Sequence, residues 1–373
     1  MRTIYFYFTT LLLLVFLSYL FIDPNFHPLK EIYSGFAFSH KALVSYAYVF
    51  LVVVSFMLYL RILKMFKNKK LNKAQAIGII SGSAVVLFFS YPAMLSYDIF
   101  NYLTTARVLY HYGENPYLVM PIEFIGDQNL LFTHAANKFA LYGPSWIGIT
   151  AVPYFLGLGN TVLEIIGFKF LNVLFYALSL FLILRISKDY YRVLFFGLNP
   201  LVLIETLLSG HNDIVMMFFA LLAFYFIKER RSAFSLLFIV VSILIKYATV
   251  FLLPLYAYLE YLNLRKRNIN WDKIFTSASC SMMLVFFLSF IREEIYPWYA
   301  IWFFIFASLT HKKFLRGLSL VLTLFLLFRY VPFMYTGSHF GSTPIIKTVI
   351  IIVPVVVYVF YYFTRLKRML GKW

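Results

Sequence analysis

Long apolar runs alternate with short basic segments along almost the whole chain. A helix of about 20 apolar residues spans the hydrocarbon core of a bilayer, and helices satisfy all their backbone hydrogen bonds internally. The pattern therefore predicts an all-α polytopic integral membrane protein, a single transmembrane domain over residues 1–373, with about 12 membrane helices. The predicted crossings are 3–22, 42–63, 74–94, 163–184, 193–208, 213–228, 232–246, 248–263, 274–292, 299–311, 314–331 and 345–363.

Six basic clusters give the predicted orientation. Basic segments beside membrane helices stay in the cytoplasm, so an even number of crossings must separate each cluster from the next. The rule predicts a multi-pass protein of the plasma membrane with both termini in the cytoplasm. The clusters lie at 61–73, 185–192, 228–231, 265–273, 312–316 and 365–372.

The same parity removes one apolar run from the count. Three runs lie between the first two clusters, and the shortest of them, 143–159, contains Pro144 and Pro153. Because proline interrupts helices, we expect this run to lie on the outer side without crossing. The outer loop then covers residues 95–162 and includes juxtamembrane helices.

Two other segments are ambiguous. Residues 3–22 follow Arg2 as a signal peptide would, but the stretch is long and no small-residue cleavage site follows, so we interpret it as a retained first helix. Residues 232–262 lie between two basic clusters, so this segment must cross the membrane outward and return to the cytoplasmic side. They predict a hairpin of two short helices with Lys246 at its outer apex, about 21 Å from the start at 1.5 Å per residue.

Composition excludes a water-soluble fold. Hydrophobic residues make up 62% of the sequence and charged residues 13%, against roughly 45–50% and 25% in soluble domains. The net charge of +18 comes from Lys and Arg confined to the segments between apolar runs. It therefore reflects membrane topology, and no nucleic-acid partner is expected. The single cysteine, Cys280, excludes a disulfide framework.

The outer loop begins with a polar segment, SYDIFNYLTTAR, at 96–107. On a helix, Asp98, Asn101, Tyr102 and Thr105 share one face. The pattern predicts an amphipathic helix at the membrane surface whose polar stripe begins at Asp98. Two interpretations of Asp98 stay open: a functional acid, or a helix N-cap that binds free backbone N–H groups.

Further polar motifs follow the first in a fixed order. They are YHYGENPY at 110–117, YGPSW at 142–146, NPLVLIE at 199–205, SGHND at 209–213 and YPWY at 296–299. The series resembles the polytopic GT-C glycosyltransferases of the bacterial and archaeal polyprenyl-phosphate-mannose-dependent mannosyltransferase group, over about residues 91–310. That family also carries an acid on its first large outer loop, followed by surface helices.

The resemblance implies an inverting transfer of one hexose, expected to be mannose, from a polyprenyl-phosphate donor to an acceptor hydroxyl. The acceptor would be a glycan or glycolipid on the outer face of the membrane. An alcohol is a poor nucleophile at neutral pH, and a nearby carboxylate can accept its proton as the new bond forms. Asp98 is the predicted base. No cofactor beyond the lipid-linked sugar is implied, and metal dependence stays open because Asp98 and Asp213 lack a metal-motif spacing.

Three residues are predicted to bind the donor phosphate: Lys246, Arg292 and His339. The topology places Lys246 and Arg292 near the outer headgroups, and a charge in the membrane is unfavourable unless it is paired. Each has a structural alternative. Lys246 could snorkel to the headgroups, Arg292 could pair with Glu293 or Glu294, and His339 could be a solvated loop residue.

The other residues of the outer motifs are predicted to contact the sugar or the acceptor. Asp213 could instead stabilise a helix N-terminus, and Trp298 with Tyr299 could anchor the interface. Glu205 and Arg329 are left without a role. The predicted set is Asn101, Tyr102, Arg107, Asn115, Tyr117, Tyr142, His211, Asn212, Asp213, Trp298 and Tyr299.

Two other functions stay open at this point. A transporter or flippase of a lipid-linked sugar would share the aromatic residues but place its key polar groups near the bilayer midplane, so the outer position of Asp98 favours an enzyme. A membrane acyltransferase would need a histidine–acid pair, which His211 and Asp213 could supply. All three functions have membrane lipid as a partner.

Overall fold

The computed structural model describes residues 2–29, 31–32, 35–291 and 294–370, with side chains to residue 367. Helices make up 76% of the chain and the described residues contain no strand, as the apolar pattern predicts. The α-helices are α1 Arg2–Tyr19, α2 Phe36–Ser39, α3 Lys41–Lys67, α4 Lys73–Phe88, α5 Asp98–Tyr110, α6 Pro144–Ile149, α7 Ala151–Leu156, α8 Thr161–Ser187, α9 Tyr190–Gly197, α10 Pro200–Val202, α11 Asp213–Lys228, α12 Ser232–Ile243, α13 Leu253–Leu264, α14 Trp271–Leu288, α15 Ala300–Leu309, α16 Lys313–Phe328, α17 Val331–Thr336 and α18 Thr343–Leu370.

Six helical segments of the described chain are long and apolar enough to cross a bilayer. A seventh is obtained if α9 and the helix after it, bent by 58° to each other, count as one span. The other predicted crossings correspond to shorter helices, so the polytopic membrane architecture is confirmed while the number of twelve stays a prediction. The six segments are Arg2–Tyr19, Lys41–Lys67, Thr161–Ser187, Trp271–Ile291, Lys313–Thr336 and Thr343–Lys367.

The predicted outer loop contains only short helices. The run 143–159 forms α6 and α7, of six residues each. Each helix is about 9 Å long, which is too short to cross a bilayer. Helix α5 differs from the expected surface helix, because residues 99–106 are all buried. The short helices α6 and α7, together with α8, pack against it. Asp98, at its first position, stays partly exposed.

Residues 232–264 form the predicted hairpin. The start of α12 meets the end of α13, because the Ser232 hydroxyl donates to Glu260 Oε2 at 2.7 Å and accepts from Asn263 Nδ2 at 3.2 Å. A 3-10 helix, Tyr247–Leu252, begins the returning arm. Lys246 therefore lies in the turn between the two arms, at the apex.

Between α9 and α10 the chain breaks its helix inside the protein. Pro200, at the first position of α10, has no N–H to donate, and Asn199 Oδ1 caps the new helix by accepting from Leu201 N–H at 3.0 Å. Asn199 is fully buried, and its amide nitrogen donates to Thr323 Oγ1 at 3.0 Å. A new helix therefore begins at Pro200, and its start is enclosed by other helices.

Side chains from neighbouring helices satisfy the carbonyls that this break releases. A helix end leaves its last carbonyls without partners, and a bilayer has no water to replace them. The hydroxyl of Tyr59 donates to the carbonyl of Phe195 at 2.7 Å, and that of Tyr176 donates to Gly197 at 2.8 Å. The chain can then continue from α10 into a π-helix, Leu203–Leu208.

Lys169 does the same for two further helix ends. Its buried ammonium group donates to the carbonyls of Leu87 at 3.0 Å, Ser90 at 2.7 Å and Leu208 at 3.4 Å, and to the Ser90 hydroxyl at 2.7 Å. Leu87 lies in the last turn of α4, Ser90 follows two residues after that helix ends, and Leu208 ends the π-helix. One side chain of α8 therefore ties α4 to the broken helix.

Replacing Lys169 with methionine should destabilise the protein strongly. The variant keeps the volume of the side chain but leaves up to three buried carbonyls unsatisfied, each worth about 1–3 kcal/mol. Thermal unfolding of the detergent-purified protein measures the effect. Lys228→Met is the matched control, because Lys228 is exposed and donates to one carbonyl, that of Ile186. Equal melting temperatures for the two variants would contradict the conclusion that Lys169 links α4 to the broken helix.

Candidate active site

The turn 209–213 joins the π-helix to α11 and is buried throughout, with its last three residues at 0% exposure. Gly210 has a φ of 77°, which favours glycine, and its carbonyl accepts from Asn172 Nδ2 at 2.9 Å. The sequence predicts a short turn between two crossings at this point. In the structure the turn is enclosed by the protein, because Tyr102 and Trp298 pack against it.

His211 lies between two carboxylates. Its Nδ1 is 3.1 Å from Glu205 Oε2, and its Nε2 is 3.9 Å from Asp98 Oδ2. Both oxygens of Glu205 also accept from the Tyr330 hydroxyl, at 3.0 and 3.2 Å. A proton on Nδ1 that is donated to Glu205 leaves Nε2 directed at Asp98. A distance of 3.9 Å is too long for a hydrogen bond, so the Asp98 carboxylate does not accept a hydrogen bond from the histidine.

Trp298 holds the ring of His211 in place. The imidazole stacks on the indole with centroids 4.0 Å apart at 18°, and Tyr296 stacks on the same indole at 4.5 Å and 6°. Two rings this close and parallel to one indole must lie on its opposite faces. Both faces of the Trp298 indole are therefore covered by side chains of the protein.

Asp213 and Lys246 form a buried ion pair. Asp213 Oδ2 accepts from Lys246 Nζ at 2.7 Å, and Oδ1 accepts from Trp302 Nε1 at 2.6 Å. The ammonium group also lies 5.9 Å from the ring centroids of both Tyr142 and Tyr299. Lys246 does not snorkel, as one alternative had it, because its charge is compensated inside the protein.

The YGPSW motif fixes the hairpin apex. The N–H groups of Gly143 and Ser145 donate to the carbonyls of Ile245 and Leu244, at 3.0 and 2.9 Å. A Cβ atom at Gly143 would collide with the Leu244 carbonyl oxygen, so only glycine permits this approach. The motif therefore positions Lys246, the next residue after Ile245.

Several predicted aromatic residues gather beside this pair. Tyr102 meets Tyr142 edge to face at 4.8 Å, and its hydroxyl accepts from Asn212 N–H at 3.3 Å. The Tyr117 hydroxyl donates to the Tyr142 carbonyl at 2.8 Å. The amide of Asn212 is buried without a hydrogen bond among the described residues. These side chains connect the outer loop to the turn 209–213.

Other predicted contacts of the sugar or acceptor bind their own loop. Arg107 Nε lies 2.9 Å from Asp127 Oδ2. Burial alone would raise the pKa of Asp127, but the Asn129 N–H and the Arg107 guanidinium that it binds hold its pKa below the ordinary value. Asn101 and Asn115 each accept one backbone N–H group of the same loop.

A second charged cluster begins at Arg329, the residue before Tyr330, whose hydroxyl donates to Glu205. Arg329 Nη2 and Lys347 Nζ both donate to Glu294 Oε1, at 2.6 and 2.7 Å. Burial would raise the pKa of Glu294, but these two cations lower it below its ordinary value. Burial also lowers the pKa of His339, and the charge of Lys347 adds to the effect. The cluster of Arg329, Lys347 and Glu294 therefore carries one cation in excess, with His339 close by.

The sequence left some of these residues without a role. Glu205 is in the NPLVLIE motif, but nothing in a sequence reveals a π-helix that turns its carboxylate to His211. Nothing in the sequence distinguishes Trp302 from the many other aromatic residues. The pairing of Arg329 with Glu294 joins residues that are 35 positions apart, so no local motif predicts it. Arg292 lies outside the described residues. No group of three or more His, Cys, Asp or Glu in the described chain is arranged to hold a metal ion.

Residues 22–261, more than half of the chain, match the family model of the alpha-(1->6)-mannopyranosyltransferase N-terminal domain, MptA/B family. The chain belongs to this family. It is a membrane glycosyltransferase of a mannosyltransferase family, as its motif order indicated. No curated protein and no solved structure matches it significantly.

The match to this mannosyltransferase family includes only part of the site. Asp98, Glu205, His211, Asp213 and Lys246 all lie within residues 22–261. The Trp298 and Trp302 side chains that hold them, and the second charged cluster, follow the matched region. The site of this mannosyltransferase is therefore assembled from the family domain and the helices after it.

Lys246→Met should destabilise this mannosyltransferase by about 3–5 kcal/mol, because it leaves Asp213 as an uncompensated buried charge. The double variant Asp213→Asn/Lys246→Met should recover much of the stability, since Trp302 can still donate to the side-chain oxygen of the new amide. Thermal unfolding of both purified variants measures this. A double variant no more stable than Lys246→Met would contradict the ion pair.

Proposed function

We propose that the protein transfers mannose from a polyprenyl-phosphate donor to an acceptor hydroxyl of a glycan or glycolipid, with inversion, on the outer face of the plasma membrane. The family supports mannosyl transfer, and the parity of the basic clusters supports the outer face. One observation carries the assignment of the base. The side chains of Glu205 and Asp213 are 0% exposed, whereas that of Asp98 is 23% exposed.

Asp98 is then the carboxylate of the three that a substrate can reach. It accepts the proton of the acceptor hydroxyl while the oxygen forms its bond to the anomeric carbon. The bond from that carbon to the phosphate oxygen breaks on the opposite face, which gives inversion. The polyprenyl phosphate leaves as an anion, so no protonating acid is required.

The structure also bears on the alternative in which Asp98 caps α5. The N-cap residue of α5 is Tyr97, and the side chain of Asp98 accepts no backbone N–H group among the described hydrogen bonds. His211 Nε2 lies 3.9 Å from the Asp98 carboxylate. In our proposal His211 positions the acceptor hydroxyl against Asp98, and Glu205 fixes the orientation of His211.

The donor phosphate needs a cation whose charge is not already compensated. Lys246 is paired with Asp213, and Arg292 lies outside the described residues. Arg329 and Lys347 share one carboxylate, Glu294, and His339 lies near them. We place the phosphate at this cluster, with Lys246 as a second donor of hydrogen bonds at the edge of the site.

Among the other functions that the sequence left open, an acyltransferase would also use a histidine–acid pair, and His211 with Glu205 has that geometry. Membership of a mannosyltransferase family favours glycosyl transfer. The deciding experiment incubates the purified protein with radiolabelled polyprenyl-phosphate mannose and candidate acceptors. Labelled acceptor supports the proposal. Transfer of an acyl group, without transfer of sugar, would overturn it.

Asp98→Asn should reduce the rate of mannosyl transfer by roughly 10²–10⁴-fold, because an amide cannot accept the hydroxyl proton. The melting temperature should change little, since the carboxylate caps no helix. Glu114→Gln, an exposed acid of the same loop, is the matched control and should transfer normally. Normal transfer by Asp98→Asn would remove Asp98 from the mechanism.

Lys347→Gln should raise the KM for the donor by about tenfold or more, the loss of one charged hydrogen bond being about 1.5–3 kcal/mol. Arg329 still compensates Glu294 in this variant, so the fold should persist. Initial rates at varied donor concentration measure the effect. Lys138→Gln, an exposed cation of the outer loop, controls for net charge. An unchanged KM in folded Lys347→Gln would place the phosphate elsewhere.

A further inference from the structure

A cavity lined by cations lies away from the candidate active site. It has a volume of about 920 Å³ and lies where the end of α3, the loop after it, α9 and the start of α16 meet. Five basic side chains line it, and the lining contains no acidic residue. They are Lys67, Lys69, Lys73, Lys313 and Arg316.

These five charges are not compensated within the described chain. No described carboxylate lies within 4 Å of any of them. The Arg316 guanidinium is held over the rings of Phe195 and Tyr191, at 4.4 and 5.4 Å from their centroids. Like charges gathered in one cavity repel one another, so an anion bound there would be favoured.

The cavity lies at the opposite end of the bundle from the Arg329 cluster. Helix α16 begins at Lys313 in the cavity wall and ends just before Arg329, about 24 Å away for its 16 residues. Helix α3 likewise runs from Lys41, which donates to the Thr336 carbonyl beside α17, to Lys67 in the cavity. Both helices belong to segments long enough to cross a bilayer. The cavity and the Arg329 cluster therefore lie at opposite ends of helices that are long enough to cross a bilayer.

The wall of the cavity is amphipathic. Below the basic rim it is lined by Phe66, Leu71, Phe195 and Leu320, and Leu320 lies two turns along α16 from Lys313. A free phosphate ion would use the cations and leave this apolar wall in water. A lipid places its phosphate among the cations and its glycerol and first methylenes against the apolar side chains.

We propose that this cavity binds the phosphate headgroup of an anionic membrane lipid. Basic pockets between membrane helices bind such headgroups through charge and hydrogen bonds. Arg316, already oriented by two rings, presents a planar fork of donors that matches phosphate oxygens. The site is independent of mannosyl transfer, because none of its residues belongs to the proposed catalytic or donor groups.

The test measures binding of radiolabelled phosphatidylglycerol to the purified full-length protein in phosphatidylcholine nanodiscs. The wild type should bind it saturably, and Lys313→Gln/Arg316→Gln should weaken binding by tenfold or more. Lys73→Gln/Lys313→Gln keeps Arg316 on its two rings, so it should weaken binding without disturbing that packing. Arg267→Gln/Lys273→Gln removes two exposed charges from another basic segment and should bind as the wild type does.

Several results would overturn the proposal. One is phosphatidylglycerol binding that does not saturate, and another is an equal loss in the Arg267→Gln/Lys273→Gln control, which would mean general charge attraction. A third is displacement of the lipid by millimolar inorganic phosphate, which would identify a free anion as the ligand. Retention of saturable lipid binding in an Asp98→Asn background supports the independence of this site from catalysis.

Discussion

A broken helix inside a membrane protein must find partners for the carbonyls it releases, and the architecture of the site depends on how this chain meets that requirement. Helix α8 supplies donors from one face, at positions 169, 172 and 176, to the carbonyls of Ser90, Gly210 and Gly197. These spacings of three and four residues follow from 3.6 residues per turn. The helix that carries Glu205 can therefore break, widen into a π-helix and turn sharply, because side chains satisfy the carbonyls of Gly197, Leu208 and Gly210.

That turn determines the arrangement of the titratable groups. A regular helix would carry Glu205 well below the membrane surface, about 8 Å deeper than the turn for five or six residues. The π-helix and the left-handed Gly210 bring its carboxylate to 3.1 Å from His211 instead. Trp298 then sets the plane of the imidazole. The result is a line of acid, histidine and acid in which only the last member, Asp98, has an exposed carboxylate.

The sequence predicted the parts of the molecule that obey simple periodicity. Apolar runs predicted the all-α membrane fold, charge parity predicted the hairpin with Lys246 at its apex, and motif order indicated the mannosyltransferase family. It missed what depends on long-range packing. The pairing of Lys246 with Asp213 joins residues 33 positions apart, and the burial of α5 depends on contacts with α6, α7 and α8, which follow later in the chain. The sequence shows Glu205 as an acid within an apolar run. The direction in which its carboxylate points depends on the π-helix, which the pattern of apolar and polar residues does not predict.

Charge compensation separates structural cations from those available to ligands. Lys169 is enclosed by oxygen atoms and Lys246 is matched by Asp213, so neither has capacity for a full anionic charge. At one end of α16, the two positive charges of Arg329 and Lys347 face one negative charge, that of Glu294. At the other end, the basic cavity has five positive charges and no acidic residue in its lining. The net charge of +18 is thus more than a topology signal. Because unpaired cations are unfavourable near the hydrocarbon region, their concentration at the two ends of one helix favours phosphate-bearing lipids as the groups that complete each end.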